Sequence, residues 1–331
     1  MDPLSQATIG AAAAQSLNKQ ADLARIGLIG ALAGMAPDLD VLIQSSRDPL
    51  LQLEYHRQFT HSLAFIPLGA FLCAIAFWPF VRRHMSFKTL WLSVLAGYAT
   101  HGLLDACTTY GTLLLWPFSD RRIAWNTISV VDPLFTLPLL GFVIAAVVKK
   151  SQPVGRLGLA WVAFYLSIGV IQEERARAAG EALSAHRGHA PADVSAKPSF
   201  GNLLLWKTVY EYDDQFWVDA VRAGGSVSII EGDHVKRLDL AAAFPWLDPK
   251  SQQSRDVERF RWFSNDYLAI DRNDPLFVVD MRYSHLPNEI KGLWGIRLDP
   301  DAPIDQHVTW IARRGADSER FEQLWTMLNG N

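Results

Sequence analysis

Long apolar segments separated by short polar ones dominate the first half of this chain. Leu63 to Val81 contains no charged side chain and is followed at once by Arg82 and Arg83. Val130 to Val148 is interrupted only by Asp132, near its start. A helix that crosses the roughly 30 Å hydrocarbon core of a bilayer needs about 20 mostly apolar residues. Both segments are therefore predicted to span a membrane.

Three further segments are apolar but shorter or interrupted. They are Arg25 to Ile43, Leu90 to Leu104 and Leu157 to Ile171. Each would span the bilayer together with flanking residues, or where the bilayer is locally thinner. The first is expected to break near Pro37, because proline disrupts helical hydrogen bonding. The predicted fold is a membrane α-helical bundle of about five transmembrane helices. A large soluble helical core is the alternative, but five apolar runs with basic ends favour the membrane.

Basic residues give the predicted orientation of these helices. The loops Arg82 to Lys88 and Lys149 to Arg156 each contain three Lys or Arg residues, and basic loops usually remain in the cytoplasm. Five spans then place the N-terminus inside and the C-terminal half outside. Met1 to Gln20 lacks the basic region that precedes the apolar core of a cleavable signal peptide. We therefore expect the membrane helices themselves to direct targeting.

The sequence changes character after Gln172. Residues 1–172 hold 12 Lys and Arg against 9 Asp and Glu, whereas the rest hold 19 against 25. We predict a transmembrane domain over 1–172 and a small soluble α+β domain over 200–331. The connecting segment, 173–199, is predicted to continue as a helix to about His186 and then to form a linker from Gly188 to Pro198. Helices are predicted at Ser251 to Ser264 and Asp317 to Leu328. Strands are predicted at Leu203 to Tyr212, Phe216 to Arg222, Val227 to Glu231, Leu276 to Tyr283, Leu293 to Leu298 and His307 to Arg313, with a hairpin turn at Gly224-Gly225.

Charge and cysteine content exclude some classes of partner and site. Neither half has the long basic stripe of a nucleic-acid-binding protein, so nucleic acid is not an expected partner. Cys73 and Cys107 each lie in or beside an apolar run. Two such cysteines make a disulfide framework or a four-thiolate zinc site improbable. The expected partners are the lipid bilayer and a lipid or phosphoester substrate, and the sequence does not predict an oligomeric state.

Polar residues able to bind a metal stand at the ends of the apolar segments. In the predicted topology all seven lie on the outer face: Asp38, Asp40, His56, His61, His101, Asp105 and Asp132. His101 and Asp105 are four apart, which puts them on one face of a helix, and Gly102 between them leaves space for another helix or a ligand. His56 and His61 are five apart, so a shared site requires a turn between them or two adjoining ions.

Three imidazoles and four carboxylates are a donor set for a divalent metal ion. Zinc is the first choice, with manganese or iron as alternatives, and there are enough donors for one or two ions. Charged groups near hydrocarbon are costly unless they are paired or metal-bound. A bound cation lowers the pKa of its water, so the implied chemistry is hydrolysis. Each histidine alone could instead donate to a carbonyl group, and Asp132 before Pro133 could simply start a helix.

Other polar residues on the same face are candidates for catalysis or substrate binding. Asp132 is predicted to be a metal ligand or a general base. Arg57, Arg121 and Arg122 could hold a phosphate or carboxylate group by paired hydrogen bonds. Contact with lipid headgroups is the alternative role for these arginines.

The motifs around these residues carry a family resemblance. They are Pro37-Asp-Leu-Asp40, His56-Arg-Gln-Phe-Thr-His-Ser62, His101-Gly-Leu-Leu-Asp105, and Trp116-Pro-Phe with Asp132-Pro133. Over roughly Met1 to Val148 the chain resembles the YdjM-type family of membrane-bound metal-dependent hydrolases. The resemblance implies a bacterial inner-membrane protein with metal-dependent hydrolase activity, whose outer face is periplasmic. The His-x-x-x-Asp pair is also distantly similar to an element of zinc-dependent phospholipase C and single-strand nuclease folds, which would favour phosphoester substrates.

Three functions are compatible with this sequence. The first is a metal-dependent hydrolase at the outer membrane-water boundary that acts on a lipid or phosphoester. The second is an ion or small-molecule transporter, although the nearly bare middles of the spans argue against a site at the membrane midplane. The third is a non-catalytic protein with a structural metal and a partner-binding outer domain. A structural ion normally has a closed coordination shell, whereas a catalytic one keeps a position for water.

Overall fold

The computed structural model describes residues 1–19, 22–313, 315 and 318–330. It consists of a helical N-terminal part and a C-terminal β-sheet domain. The helices of the first part are α1 (Pro3–Leu17), α2 (Leu23–Met35), α3 (Leu51–Tyr55), α4 (Ile66–Val81), α5 (Phe87–Ala106), α6 (Pro133–Val148) and α7 (Gln152–His186). Short 3-10 turns lie at Ala36–Leu42, Phe59–His61 and Leu63–Phe65.

The chain forms two compact units. The helical unit comprises Met1–Leu42, Tyr55–Val170 and Phe200–Asn202. The second unit comprises Ile43–Glu54, Ile171–Ser199 and the remainder from Leu203. All seven predicted metal ligands belong to the helical unit.

Helix α1 is an element that the sequence analysis did not predict. The Asp2 side chain caps it by accepting hydrogen bonds from two backbone N–H groups. The helix is buried and packs against α2, α5 and α6. Its packing against α2 is close, because a Cβ added to Gly30 would lie 2.4 Å from the Gly10 carbonyl oxygen, and one added to Gly34 would lie 2.6 Å from the Gln6 carbonyl oxygen. Small residues at helix contacts allow this approach of backbones.

Two helical segments in the described chain are long and apolar enough to cross a membrane. They are Leu63–Val81 and Gln152–His186. The five-helix membrane bundle is therefore not confirmed. The other predicted spans fall short for separate reasons: α2 ends at Met35 after 13 residues, α6 has 16 residues, and α5 has 20 residues but includes Lys88, His101 and Asp105.

Helix α4 has two different faces. Its small residues Ala70 and Ala74 are buried in a core formed with α2 and α5. Its exposed face carries large apolar side chains, among them Leu72 and Phe80. Contiguous exposed apolar surface is typical of a membrane contact.

The C-terminal domain contains two antiparallel sheets. The strands are β1 (Val194–Pro198), β2 (Leu205–Tyr212), β3 (Gln215–Ala223), β4 (Val227–Ile230), β5 (His234–Lys236), β6 (Leu268–Asp271), β7 (Asp274–Asp280), β8 (Trp294–Arg297) and β9 (Thr309–Ala312). The first sheet has the order β1-β2-β3-β4, with β5 also paired to β3, and the second has the order β6-β7-β8-β9. The helices of this domain are α8 (Leu240–Ala243), α9 (Gln252–Phe263) and α10 (Ser318–Asn329).

The six predicted strands of this domain are confirmed, as is the turn at Gly224-Gly225, which joins β3 to β4. The predicted linker from Gly188 to Pro198 is wrong at its end, because β1 pairs there with β2 from Val194 opposite Tyr210. Strands β5 and β6 were not predicted, and each has only three or four residues. The last helix is confirmed from Ser318, while Asp317, its predicted first residue, lies outside the described residues.

Candidate metal centre

Three short parts of the helical unit bring six of the seven predicted ligands together. The 3-10 turn Ala36–Leu42 supplies two aspartates, the segment after α3 supplies two histidines, and α5 supplies a histidine and an aspartate. The donor atoms form two groups, within each of which all atoms lie within 4.8 Å of one another. The first group is Asp38, His61, His101 and Asp105, and the second is Asp38, Asp40 and His56.

The imidazoles of His61 and His101 face each other through their Nε2 atoms, which are 2.9 Å apart. The Nδ1 atom of His101 lies 2.5 Å from the carbonyl oxygen of Gly34. The Nδ1 atom of His61 lies 2.9 Å from Thr60 Oγ1 and 3.2 Å from Asp40 Oδ2. Acceptors at Nδ1 favour the tautomer with the proton there, which leaves an Nε2 lone pair. Two lone pairs at 2.9 Å repel each other unless a proton or a metal ion lies between them, so these residues fit a metal ion.

Two carboxylates complete this buried group. Asp38 Oδ1 lies 3.4 Å from Nε2 of His61 and 3.3 Å from Nε2 of His101. Asp105 Oδ2 lies 3.2 Å and 3.5 Å from the same two nitrogen atoms. The side chains of His61, His101 and Asp105 are 0% exposed, whereas that of Asp38 is 26% exposed. Two nitrogen and two oxygen donors suit tetrahedral zinc.

Asp40 stands behind His61 and receives hydrogen bonds from several donors. Its Oδ2 atom accepts from the backbone N–H of Arg57 at 3.0 Å and from Thr60 Oγ1 at 2.8 Å. Its Oδ1 atom lies 2.8 Å from Nδ1 of His56. A carboxylate in this position fixes the tautomer and the orientation of a ligating imidazole. Asp40 therefore supports His61, and it is also within reach of an ion in the second group.

Burial lowers the pKa values of His56 and His61, whereas hydrogen bonds to carboxylates raise them, and the balance differs between the two residues. Burial lowers the pKa of His56 despite its hydrogen bond to Asp40. Burial also opposes a charge on His61, but hydrogen bonds to Asp105, Asp38 and Asp40 outweigh it and raise the pKa of His61 to about 10. Without a cation, His61 therefore carries a proton at neutral pH. Metal binding would displace that proton.

A tight turn brings His56 and His61 together, as their spacing requires for a shared site. Arg57 adopts a left-handed backbone conformation with φ of 65°, which is strained for a residue with a side chain. The hydrogen bond from its N–H to Asp40 holds the turn. The Tyr98 hydroxyl on α5 donates to the Thr60 carbonyl oxygen at 2.8 Å. The rings of His56 and His61 consequently lie 5.7 Å apart.

The three candidate arginines occupy different places. Arg57 is buried, with Nε 3.1 Å from Asp105 Oδ2 and its Cζ 4.5 Å from the centre of the Tyr110 ring. Arg122 is also buried, and its Cζ lies 5.5 Å from the centre of the same ring. The Arg121 side chain is exposed. Within the described residues no contact of the Arg121 side chain with the cluster is found.

Gln6 on α1 contacts the site and was not predicted. Its Nε2 donates to Asp105 Oδ1 at 3.0 Å and to the His101 carbonyl oxygen at 3.3 Å. The amino group of Met1 also contacts Asp105 Oδ1. Gln6 is fully buried. The sequence feature that could have identified Gln6 is a glutamine in a segment rich in alanine. A buried amide needs a hydrogen-bond partner, so such a glutamine indicates a polar contact.

Asp132 belongs to neither donor group. It caps α6 by accepting from the backbone N–H groups of Leu134 and Phe135. Its two oxygen atoms also accept from the Tyr165 hydroxyl, at 2.9 Å and 2.8 Å. These contacts satisfy the carboxylate as a helix cap, which is the alternative that the sequence left open.

Two curated proteins match part of the chain. It is 30% identical over 112 residues to the uncharacterized protein YfhP of Bacillus subtilis (strain 168), which is 34% of each chain. It is 34% identical over 113 residues to the inner membrane protein YbcI of Escherichia coli (strain K12), which is 32% of this chain and 62% of YbcI. The chain thus spans less than two thirds of the length of either relative. No solved structure matches it.

A family model covers the helical part and the whole metal centre. It describes the YdjM inner membrane protein and matches residues 1–176. The matched range is more than half of the 331 residues and includes every residue of both donor groups. By this match, the chain belongs to the YdjM inner membrane protein family.

Proposed function

We propose that this protein is a membrane-bound metal-dependent hydrolase that acts at the membrane-water boundary on a lipid or phosphoester substrate. One observation carries the proposal. The Nε2 atoms of His61 and His101 converge with carboxylate oxygens of Asp38 and Asp105, while the Nδ1 atom of each histidine is held by an acceptor. Zinc is the ion that this donor set suits best, with manganese or iron as alternatives.

The residues around the site prepare it for this chemistry. A divalent cation held by this cluster would lower the pKa of a coordinated water toward about 7 and so supply a nucleophile at neutral pH. Asp40 and the Gly34 carbonyl oxygen orient the two buried imidazoles. Gln6 holds the Asp105 carboxylate in place. Asp38 is the partly exposed member of the buried group and marks the side from which a substrate would enter.

Arg57 supports an anionic substrate. Its buried guanidinium lies beside Asp105, and its Nη1 donates to Thr108 Oγ1 at 3.0 Å. A fixed cation next to the reacting group stabilises negative charge that develops on a substrate oxygen. Arginine also matches the geometry of a phosphate group. We assign Arg57 to substrate binding, and Arg121, which is exposed, to contact with lipid headgroups.

The proposed location at the membrane boundary rests on the sequence positions of the ligands. His61 lies two residues before the candidate span Leu63–Val81. Asp105 lies one residue before the end of α5. The site would thus stand at helix ends rather than in the middle of a span. The basic loops predict that these ends face the periplasm.

A hydrolase assay on matched variants tests the proposal. The full chain would be purified in detergent without chelator and screened against nitrophenyl phosphate, bis-nitrophenyl phosphate, nitrophenyl esters and phospholipids. His101→Ala and Asp105→Asn are expected to lose turnover by at least about 100-fold, because each removes a ligand. His84→Ala and Asp120→Asn, which alter exposed residues, are expected to retain it.

The outcome separates this function from the alternatives. Turnover that requires added metal and fails in the two ligand variants supports the hydrolase. Tight metal binding without hydrolysis of any substrate class would contradict it and favour a structural ion. Metal uptake into proteoliposomes without hydrolysis would favour a transporter.

A further inference from the structure

A second group of donors adjoins the buried one and shares Asp38 with it. The donor atoms of Asp38, Asp40 and His56 all lie within 4.8 Å of one another. The group differs from the buried one in its number of donors and in its access to solvent. These two differences indicate which of the two groups leaves a coordination position for water.

The buried group has four protein donors, and three of its side chains are 0% exposed. Four protein ligands complete the tetrahedral shell of zinc, as in structural sites. The second group has three donors, and two of its side chains are partly exposed, His56 at 17% and Asp38 at 26%. Three protein ligands leave a coordination position for water, as in catalytic sites. The chemistry of hydrolysis therefore fits the second group better than the first.

The carboxylate of Asp38 is a member of both groups. Its Oδ1 atom faces Nε2 of His61 and of His101. Within the described residues, no hydrogen-bond donor contacts its Oδ2 atom. A carboxylate with one oxygen at each ion is the usual bridge in two-metal sites, where the ions lie roughly 3.5–4 Å apart.

The two carboxylate oxygen atoms of Asp40 have different contacts. Oδ2 accepts from Arg57, Thr60 and His61 and supports the buried imidazole. Among the described residues, the hydrogen-bond partner of Oδ1 is His56, whose Nδ1 is 2.8 Å away. Two ligands on one ion at about 2.0–2.2 Å each are separated by roughly 3 Å. The contact between His56 and Asp40 Oδ1 therefore needs little change to accommodate an ion.

From this geometry we infer that the site holds two divalent cations bridged by Asp38, an inference that rests on the proposed function. Asp38, His61, His101 and Asp105 hold the buried cation. Asp38, Asp40 and His56 hold the more exposed cation, which keeps a position for water. The sequence was compatible with one or two ions, and the sharing of Asp38 by two donor groups supports two.

Manganese is the probe for the test, because two bridged Mn²⁺ ions give a spin-coupled EPR signal and a single ion does not. The full chain in detergent would be stripped, reloaded with Mn²⁺, and analysed for metal per chain and by EPR. The wild type is expected to bind two ions with a coupled signal. His56→Ala and the milder His56→Gln are expected to keep one ion with an uncoupled signal. His84→Ala, at an exposed histidine, is expected to match the wild type.

The alternative role of His56 and Asp40 is support of His61 alone. One ion in the wild type, retained in both His56 variants, would overturn the two-cation centre and leave the proposed function standing. No bound ion in the wild type would overturn the proposed function together with this inference. Circular dichroism of the His56 variants establishes that a lost ion is not a lost fold.

Discussion

Gly102 on α5 lies against the carbonyl oxygen of His61. A Cβ added to Gly102 would stand 2.2 Å from that oxygen, much closer than any real contact of these atoms. The glycine therefore sets how closely the segment that carries His61 approaches α5, and so the distance between His61 and His101. The space that the sequence predicted at Gly102 is occupied by this segment.

Replacement of this glycine should damage the metal centre. Gly102→Ala forces the His61 segment away from α5, and overpacking of this kind destabilises a protein by about 1–3 kcal/mol. We expect metal affinity to fall by at least about tenfold, measured by competition with a chelator. Gly141→Ala is the control, because a Cβ there meets nothing within 4 Å. Equal affinities in the two variants would show that the close contact does not position His61.

Gln6 should affect the metal site although it is far from the other residues in sequence. Gln6→Leu removes the donor to Asp105 and is expected to weaken metal affinity by roughly 10–100-fold, the usual effect of a lost supporting hydrogen bond. Gln15→Leu is the matched control, because Gln15 is buried in the same helix and donates instead to the carbonyl groups of Leu23 and Val143. A similar loss in both variants would point to α1 packing instead.

Asp132 is expected to act as a helix cap and not in catalysis. Asp132→Asn keeps a capping oxygen, so metal content and turnover should match those of the wild type. Asp132→Ala removes the cap and the acceptor for Tyr165, and should lower the free energy of unfolding by about 0.5–2 kcal/mol. Loss of turnover in a folded, metal-loaded Asp132→Asn protein would restore the general-base role predicted from the sequence.

Lys207 should make the stability of the β-sheet domain depend on pH. Its Nζ is buried and donates to Ser284 Oγ and to the Glu289 carbonyl oxygen. Burial, with the charge of Lys197 on the neighbouring strand, lowers the pKa of Lys207 to about 7 from 10.5. Between these pH values the unfolded chain binds a proton that the folded chain lacks. Stability should therefore rise with pH in this window, by up to about 1.4 kcal/mol per pH unit.

Pulse proteolysis in urea, applied to the full chain at pH 7.5 and 9.5, measures this slope. Lys207→Met should reduce the rise in stability between the two pH values, because it removes the titrating group. Lys250→Met, at an exposed position, should leave the slope as in the wild type. An unchanged slope in Lys207→Met would mean that Lys207 remains charged in the folded protein.

The ligands were predictable because their chemistry and their spacing are local. His101 and Asp105 are four apart on a helix, and the aspartates follow a proline that ends one. Apolar runs located most of the helices, and aromatic and branched residues located the longer strands. The spacing of His56 and His61 left open a turn between them or two adjoining ions; the structure has the turn and places the two histidines in separate donor groups.

The supporting residues were not predictable because their roles depend on packing. Helix α1 is rich in alanine, which gives no strong amphipathic pattern, so neither the helix nor Gln6 was assigned. Arg122 and Arg121 are neighbours in sequence, and only the fold shows that Arg122 is buried over Tyr110. The short strands β5 and β6 form because longer strands offer them partners, which a local pattern does not reveal.

Elemental analysis of the purified protein tests the central claim most directly. The wild type, the double variant His61→Ala/His101→Ala and the control His84→Ala would be purified without chelator, and the divalent metal per chain measured. We predict tightly bound metal in the wild type and in His84→Ala, and its loss from the double variant. Wild-type protein without metal, or equal metal in the wild type and a folded double variant, would contradict the assignment of this metal centre.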